Sequence, residues 1–425
     1  MTPTGLRLER LRAAPEAIGR GPLTAKPCKN YQILNEGYSK MAENTLTDLA
    51  ADIYVAIDNV GREVTGMIPA VTRNTGSKAA AKDDTVRSAF APSVSPTTLT
   101  PAMTIPEGTG QTVANKTMTL NTMETVEIPW TGEGIKSVNN GAGYETIYGD
   151  MIAQAMRAHV NAIEGDLVVA ARAAASRAYG TAGTTPFATT NDYTDASNVL
   201  KILKDNGAGR FDNQLVINTA AGANFLGKQV AADSAGTDRM LRQGVLLDLA
   251  GMPVRESGQL STHTAGTAAS ATTDTTGYAV GSTSITLASA GTGTILAGDV
   301  ITFAGDTNKY VVVTGDTDVS GGGTIVLQEP GLRVAIAAST TAITVTGTHS
   351  DNLCFSRNAV ELAMRPPADP IGGDAAADMM MVQDPVSGLA FSISVYKGRK
   401  KAMIAVDALY GVKAWLPEYI ALLLG

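Results

Sequence analysis

The stretch of sequence that decides the fold class is residues 144–179, YETIYGDMIAQAMRAHVNAIEGDLVVAARAAASRAY. It is rich in alanine, and its larger apolar residues recur at steps of three and four, which is typical of an amphipathic helix. At 1.5 Å per residue such a helix is roughly 50 Å long, and Gly165 is its weak point. We therefore predict a helix that serves as a strut rather than as the wall of a pocket. The residues expected on its apolar side are Ile147, Met151, Ala155, Ile163, Leu167, Ala170 and Ala174.

The segments before this helix predict a second helix and an extended hairpin. Residues 46–64 carry apolar residues at helical spacing behind an N-cap at Asn44. Prolines punctuate the threonine-rich residues 78–140, which therefore cannot form one helix. Apolar and polar residues alternate at 117–120 and again at 125–131. This alternation predicts a long β-hairpin with one covered face.

The segments after the long helix mix helices and strands. A helix is predicted at 194–206, a strand at 214–218, a short helix at 219–226 and a further structured segment at 244–257. The terminal stretch 389–424 adds strand-like apolar segments. Because these elements follow no regular βαβ repeat, the predicted fold class is α+β.

Residues 261–350 differ from the rest of the chain in composition. They are rich in threonine, and short apolar runs alternate in them with glycine and aspartate turns. This pattern predicts six β-strands in a small barrel or sandwich. Because the earlier character resumes at Asn352, we expect the block to be inserted into a surface loop of another domain. The predicted strands are 283–289, 299–305, 309–315, 324–328, 333–337 and 342–347.

The overall composition argues against several classes of protein. A formal net charge of -7 argues against a dedicated nucleic-acid-binding protein, which needs a basic face. Charged residues make up 17% of the chain, and such a thinly charged exterior fits extensive contact with other copies. The two cysteines exclude a disulfide framework, and no apolar run is both long and uncharged enough to span a bilayer. We therefore predict a protein of a reducing compartment that does not enter a membrane.

The first forty residues differ in charge from the rest. Residues 1–40 hold seven basic and three acidic residues, whereas the chain from Met41 onward is acidic. Glu36 and Gly37 must be encoded as GAR-GGN, which resembles a bacterial ribosome-binding site just upstream of Met41. We therefore predict that residues 1–40 are a non-native leader or a disordered tail.

The search for catalytic motifs is negative. The sequence has neither a phosphate-binding glycine loop of the G-x-x-x-x-G-K-[ST] type nor a G-x-S-x-G nucleophile elbow. The three histidines, His159, His263 and His349, lack the spacing of metal ligands. We expect His159 to lie on the surface of the long helix or to pack in the core. We predict no catalytic residue, no metal site and no bound cofactor.

Three further features have a plain structural interpretation. Asp316 and Asp318 match the beginning of a calcium loop, but Leu327 stands where the closing carboxylate belongs, so we expect an acidic turn between strands. Cys354 lies in an apolar stretch and is expected to be a small buried residue. The three methionines at 379–381 are expected to pack in the core.

In this order the segments resemble the major capsid proteins of tailed bacteriophages, the Hong Kong fold family. An arm helix, an extended E-loop hairpin, a long spine helix and an α+β axial domain follow one another in that family. The phrase LAGMPVRES at 249–257 is similar to the family's apolar-Gly-x-Pro-Val turn. The phrases NLCFSRNA at 352–359, MRP at 364–366 and VDALYGV at 406–412 are similar, in this order, to the phage P-twenty-two type of coat protein. That type carries an additional β-barrel where GDVITFAG lies at 298–305.

The resemblance implies a division of the chain. The boundaries expected from it are 1–40 for the leader or tail, 41–77 for the N-terminal arm helix, 78–143 for the E-loop and peripheral-domain strands, 144–180 for the spine helix, 181–257 for the first part of the axial domain, 258–351 for the inserted six-stranded β-barrel domain, and 352–425 for the return to the axial and peripheral domains.

The resemblance also implies a function and partners. A capsid protein of this type is structural and not an enzyme. It assembles with itself into the hexamers and pentamers of an icosahedral procapsid, together with a scaffolding protein and a portal protein, in the cytoplasm of the bacterial host. The shell expands as double-stranded DNA is packaged without sequence-specific contacts, and the protein ends in the virion, with no membrane partner.

Two residues are candidates for contact with the scaffolding protein. In the P-twenty-two type, the arm contributes to binding a basic tail of the scaffolding protein. The phrase Leu49-Ala50-Ala51-Asp52 resembles that arm, which makes Asp52, with its neighbour Asp48, the candidate contacts. The alternative is that both carboxylates lie on a solvated helix face.

Two other functions fit parts of the sequence. An encapsulin-like nanocompartment shell shares the capsid fold and encloses cargo instead of DNA, but the inserted block disfavours it. A carbohydrate-binding β module attached to an enzyme would need an aromatic platform, and the block offers only Tyr278, Phe303 and Tyr310.

Overall fold

The described part of the chain contains five α-helices and nineteen β-strands in a computed structural model. The helices are α1 Met67–Ala70, α2 Gly132–Asn139, α3 Tyr144–Ala173, α4 Thr194–Asp205 and α5 Thr219–Ala231. The strands are β1 Thr72–Thr75, β2 Thr85–Ala89, β3 Asn115–Thr119, β4 Thr122–Thr131, β5 Arg177–Gly180, β6 Asn213–Ile217, β7 Val254–Glu256, β8 Thr262–His263, β9 Ser284–Leu287, β10 Val300–Phe303, β11 Lys309–Thr314, β12 Gly323–Leu327, β13 Ile343–Val345, β14 His349–Ser356, β15 Val360–Arg365, β16 Asp378–Gln383, β17 Ala390–Lys397, β18 Lys401–Ala414 and β19 Ile420–Leu424.

The structure describes residues 63–76, 78–89, 96, 98–101, 103, 115–139, 144–189, 193–231, 248–370, 373–384 and 387–425. All of them belong to one compact unit, Asn44–Gly425. The predicted leader, most of the arm helix and the middle of the E-loop lie outside the described residues. Asp48 and Asp52 do so as well, so their role stays a prediction.

Helix α3 is the spine that the sequence predicts. Its 30 residues run without a break through Gly165, and they make a rod of about 45 Å. The predicted apolar side is correct at Ile163 and Leu167, which are fully buried. The predicted end is wrong, because the helix stops at Ala173 and the chain continues into β5, where backbone pairing with two other strands replaces helical hydrogen bonds.

A six-stranded sheet packs against α3. Its order is β1-β15-β18-β17-β16, and β4 also pairs with the long central strand β18. Ile404, Val406 and Tyr410 of β18 share one hydrophobic core with Ile163 and Leu167 of α3. Burial of this core is the main force that holds the spine on the sheet.

The predicted hairpin forms with different partners. Strand β3 pairs with β2, and β4 pairs along its whole length with β18 instead of with β3. Met118 of β3 is buried against Leu409 of β18, so the hairpin rests on the sheet. Its backbone passes so close that a side chain at Gly411 would lie 2.3 Å from the carbonyl oxygen of Thr119.

The second sheet has eleven strands and joins the threonine-rich residues to the rest of the described chain, which we call the body. Its main order is β13-β10-β11-β5-β19-β14-β6-β7, with β12, β9 and β8 attached to it off this path. Helix α4 covers one face, where Leu200 and Leu203 pack against Leu423 of β19. The predicted helix at 194–206 and the strand at 214–218 are confirmed within one residue, whereas the predicted helix at 219–226 extends to Ala231.

The α+β class is confirmed, whereas the six-stranded barrel is not. We call residues 258–351 the β block; it contains strands β9 to β13 at five of the six predicted positions. At the sixth position, 333–337, the chain makes a single bridge between Tyr278 and Ile336. The sheet is open, and β11 pairs with β5 of the body.

Candidate assembly interface

A buried carboxylate fixes the segment at which the described chain begins. Glu164 of α3 is fully buried, and its Oε1 accepts hydrogen bonds from the amides of Gly66 and Met67 at 2.6 and 2.7 Å. Its Oε2 accepts from the amide of Ile68 at 2.9 Å, and the Ser257 hydroxyl donates to Oε1 at 2.8 Å. These charge-assisted bonds satisfy the first amides of α1, which have no partner inside the helix. We call this arrangement the Glu164 clasp.

A second carboxylate, that of Glu63, attaches the chain to the spine three residues before Gly66 of the clasp. Glu63 accepts from Arg157 Nε at 2.8 Å and from Asn161 Nδ2 at 2.5 Å, and Arg157 pairs with it a second time. These hydrogen bonds, that from Arg157 first, lower the pKa of Glu63 to about 2. The chain is therefore attached to the spine at successive points within the segment 41–77 that the sequence assigns to the arm.

An apolar strand forms one edge of the six-stranded sheet. Strand β16 pairs with β17 on one side and has no partner on its other side among the described strands. Its residues Met379, Met380 and Met381 are 41%, 52% and 52% exposed. The prediction that they pack in the core is wrong, because β16 lies at the edge of the described sheet and side chains on both of its faces are partly exposed. An apolar edge strand of this kind can accept a strand from another chain.

A rigid loop presents an aromatic side chain to solvent. Phe211 is 86% exposed in the connection between α4 and β6. The next residue, Asp212, adopts φ 67, a conformation that costs free energy for a residue with a side chain. The backbone N–H of Arg357 donates a hydrogen bond to the Asp212 carbonyl oxygen at 3.0 Å. The side-chain amide of Gln214 donates to the Asp212 carboxylate at 3.2 Å. Because these contacts fix the backbone next to Phe211, little backbone entropy is lost when a partner covers the ring.

The structure brings together two histidines that the sequence places far apart. His263 of β8 and His349 of β14 are directly opposite each other in an antiparallel pair, with ring centroids 5.5 Å apart. Each ring also meets a fully buried carboxylate: Asp299 for His263, at 2.8 Å, and Asp351 for His349, at 3.1 Å. The only signal in the sequence is that both histidines lie near the ends of the β block.

The remaining candidates have structural roles. His159 is buried in the core, with Nε2 2.8 Å from the Val406 carbonyl oxygen, which confirms the packing interpretation. Asp318 accepts from the amide and hydroxyl of Ser320, as expected for an acidic turn. Cys354 is fully buried, as predicted, and burial raises its pKa to about 12.

An open cleft of about 360 Å³ lies where β5 and β19 end. Lys309 donates to the Gly180 carbonyl, and Asp195 accepts from the amide of Phe187. Burial lowers the pKa of Lys309. Both charged groups of the lining therefore form hydrogen bonds with backbone atoms. Among the residues that the structure describes, no cluster of histidine, cysteine and carboxylate side chains could hold a metal ion, and no helix is long and apolar enough to cross a membrane.

Comparison with known proteins finds similarity in structure only. No family model and no curated protein sequence matches the chain. A chain described as "Capsid structure of the Cyanophage P-SCSP1u" is similar at 11% identity and a TM-score of 0.46, over 92% of this chain and 93% of that one. A chain of the "Capsid of native GTA particle" is similar at 11% identity and a TM-score of 0.42, over 93% and 99%. A chain from Mycobacterium phage Che8 is similar at 11% identity and a TM-score of 0.42, over 92% and 97%.

Proposed function

We propose that this chain is a shell-forming capsid protein of a tailed bacteriophage. It would assemble with copies of itself into an icosahedral head that encloses double-stranded DNA. The observation that carries the proposal is the order of elements. A two-stranded hairpin, a 30-residue spine helix on a sheet, and a second sheet interrupted by a β block follow one another as the resemblance in the sequence implies.

The distribution of polar and apolar groups supports a structural role over an enzymatic one. Apolar groups that monomers usually cover are exposed at Phe211 and at the methionines of β16. The buried polar groups, by contrast, are used to anchor segments, as in the Glu164 clasp. The net charge of -7 suits a wall around DNA, since an acidic lining repels packaged phosphates and lets the duplex slide.

The finer features of the resemblance belong to the same proposal. We infer that the β block is the inserted barrel of the P-twenty-two type. The strands of the block pair in the order β13-β10-β11-β12-β9. Support comes from two isolated bridges, from Thr273 to Leu287 of β9 and from Thr272 to Ala342 next to β13, which connect the first and last strands of this order. We further propose assembly through a scaffolding protein, with Asp52 and Asp48 in the contact, and a portal protein at one vertex. Expansion of the procapsid during DNA packaging completes the proposal.

The proposal is tested by assembly of the full chain. The chain is expressed alone and together with a scaffolding protein from the same phage genome, and the products are examined by sedimentation and negative-stain microscopy. Closed shells that form only with the scaffolding protein support the proposal. Shells that form without it and hold protein cargo support a nanocompartment instead. A chain that stays monomeric under every condition refutes both.

A matched pair of variants tests whether β16 is an assembly edge. Met380→Lys places a charge on the exposed edge without disturbing the core, because half of the Met380 side chain is already in solvent. Met380→Leu keeps the apolar surface at the same position. We expect the lysine variant to keep the far-ultraviolet circular dichroism spectrum of the parent but to lose shell formation, and the leucine variant to assemble normally. Equal assembly of the two variants contradicts the role of this edge.

A further inference from the structure

Two of the chain's three histidines lie at the neck of the β block, where the chain leaves the body and returns to it. We define the neck as the pairing of β8 with β14, in which His263 is opposite His349. Both side chains are buried, and the fully buried carboxylates of Asp299 and Asp351 lie beside them. Four titratable groups therefore meet at the connection between the β block and the body.

The environment of His349 calls for a proton on each ring nitrogen. Nδ1 lies 2.7 Å from the carbonyl oxygen of Gly347, which can only accept, so Nδ1 carries a hydrogen. Nε2 lies 3.1 Å from Oδ1 of Asp351. In a neutral ring with its hydrogen on Nδ1, the lone pair of Nε2 would lie close to a carboxylate oxygen that is also an acceptor. A second proton turns this repulsion into an attraction between opposite charges.

Asp351 has two cationic or ionisable neighbours, the His349 ring and the Arg172 guanidinium. Its side chain is fully buried, and neither of its carboxylate oxygens nor Nε2 of His349 makes a hydrogen bond of good geometry among the described residues. Arg172 of α3 approaches it only to 3.7 Å through Nε, which is beyond hydrogen-bond distance. A buried carboxylate without a hydrogen bond is costly, so a protonated His349 stabilises the folded neck.

The carboxylate of the second pair, Asp299, has hydrogen-bond donors besides its histidine. Asp299, in the turn before β10, accepts from the amides of Gly266 and Leu296, and His263 Nε2 lies 2.8 Å from it. The charges that face His349 are therefore Asp351 on its own strand, Asp299 from the turn before β10, and Arg172 from α3, with the His263 ring from β8. Two carboxylates and one guanidinium leave one negative charge, and one imidazolium cancels it.

We propose that the neck binds one proton between His349 and Asp351, and that release of this proton loosens the attachment of the β block to the body. The inference rests on these contacts and does not depend on the proposed function. Burial by itself would lower the pKa of His349, but the close contact with Asp351, the hydrogen bond to the Gly347 carbonyl and the charges of Asp351 and Asp299 outweigh it, and the pKa is raised. The stabilisation is therefore complete below the ordinary histidine range and is lost as pH rises through the higher value of the folded state.

The test measures hydrogen exchange of the full-length chain at about pH 6 and about pH 8.5, corrected for the intrinsic effect of pH on exchange. We expect the peptides that cover β8 and the beginning of β14 to exchange several-fold faster at the higher pH, while α3 does not change. In a His349→Gln variant, the side-chain amide donates to Asp351 without titrating, so the pH response should disappear. A His159→Gln variant, altered in the core away from the neck, should keep it.

Three results would overturn the proposal. The first is neck exchange in the parent chain that does not depend on pH. The second is a pH response that persists unchanged in His349→Gln. The third is abolition of the response by EDTA, which would assign the cluster to a metal ion instead of a proton. The titration of the parent chain itself, followed by NMR of histidine labelled at Cε1, needs no variant. A His349 signal that titrates at or below the ordinary histidine range would refute the inference as well.

Discussion

Replacement of Glu164 by glutamine should release the segment that leads into the spine. Glutamine keeps the shape of the side chain but has one acceptor oxygen and no charge. If this oxygen takes the place of Oε1, the amide nitrogen faces the N–H of Ile68, and a donor then meets a donor in a fully buried position. The opposite orientation is worse, because the nitrogen would then face the donors of Gly66, Met67 and Ser257.

The size of the effect follows from the four hydrogen bonds of the clasp. A hydrogen bond to a charged group contributes about 1.5–3 kcal/mol and a neutral one about 1 kcal/mol. One hydrogen bond is lost, and the contribution of the other three falls from that of a charged acceptor towards that of a neutral one. Part of this loss is offset because glutamine, unlike a carboxylate, carries no charge that must be desolvated. The net loss is about 4 kcal/mol, within the range of about 3–5 kcal/mol found when one partner of a buried ionic interaction is removed.

Hydrogen exchange of the amides of Gly66, Met67 and Ile68 measures this loss locally. A change of about 4 kcal/mol lowers their protection about a thousandfold, since each 1.4 kcal/mol is a factor of ten. The matched control is Glu63→Gln, which alters a carboxylate of the same segment that is 32% exposed, so that solvent screens its ion pair and the loss is smaller than in the fully buried clasp. The reasoning is refuted if Glu164→Gln lowers protection no more than Glu63→Gln does.

Three further outcomes follow from the described contacts. Because the hydrogen bonds from Arg157 and Asn161 lower the pKa of Glu63 from its ordinary value of 4.5 to about 2, these contacts stabilise the fold fully above the upper value; this contribution should fall away between the two values, and acid unfolding of Glu63→Gln should lack that part of the transition. In a Cys28→Ser background, Cys354 should not react with a thiol reagent until the chain is unfolded, because burial raises its pKa to about 12; prompt reaction of the native chain would contradict its burial. Gly411→Ala should push β3 away from β18 and speed hydrogen exchange in β3 while β17 stays protected, and unchanged exchange in β3 would show that the backbone approach of 2.3 Å is relieved elsewhere.

Local periodicity accounts for what the sequence predicts well. The spine helix and helix α4 each bury one apolar side, and strand β6 is a short apolar run that is buried throughout. Both patterns can be recognised from a few neighbouring residues. The sequence predicts too late an end of the spine because the alanine-rich residues 174–179 favour a helix locally. In the fold the last of them, from Arg177 onward, pair instead with β11 and β19, which come from distant parts of the chain. A long-range pairing overrides a local preference.

Features that depend on distant partners could not be predicted. Strand β4 has the alternation of a hairpin strand, but alternation does not specify which strand lies beside it, and its partner β18 is near the other end of the chain. The exposure of Met380 has the same origin, since a methionine on an edge strand has the same sequence as one in a core. The pairing of His263 with His349 arises only when both ends of the β block are brought together.

Strand β11 has a mechanical consequence for the β block. It pairs with β10 and β12 of the block and with β5 of the body, so hydrogen bonds run unbroken from β13 to β19. A domain that hangs on two flexible linkers can swing without moving its host. Here a tilt of the block must also move β5 and β19, because the strands are hydrogen-bonded to one another, and with them the helix α4 that packs on β19. Any force on the block from a neighbouring molecule is thus delivered to the centre of the protein.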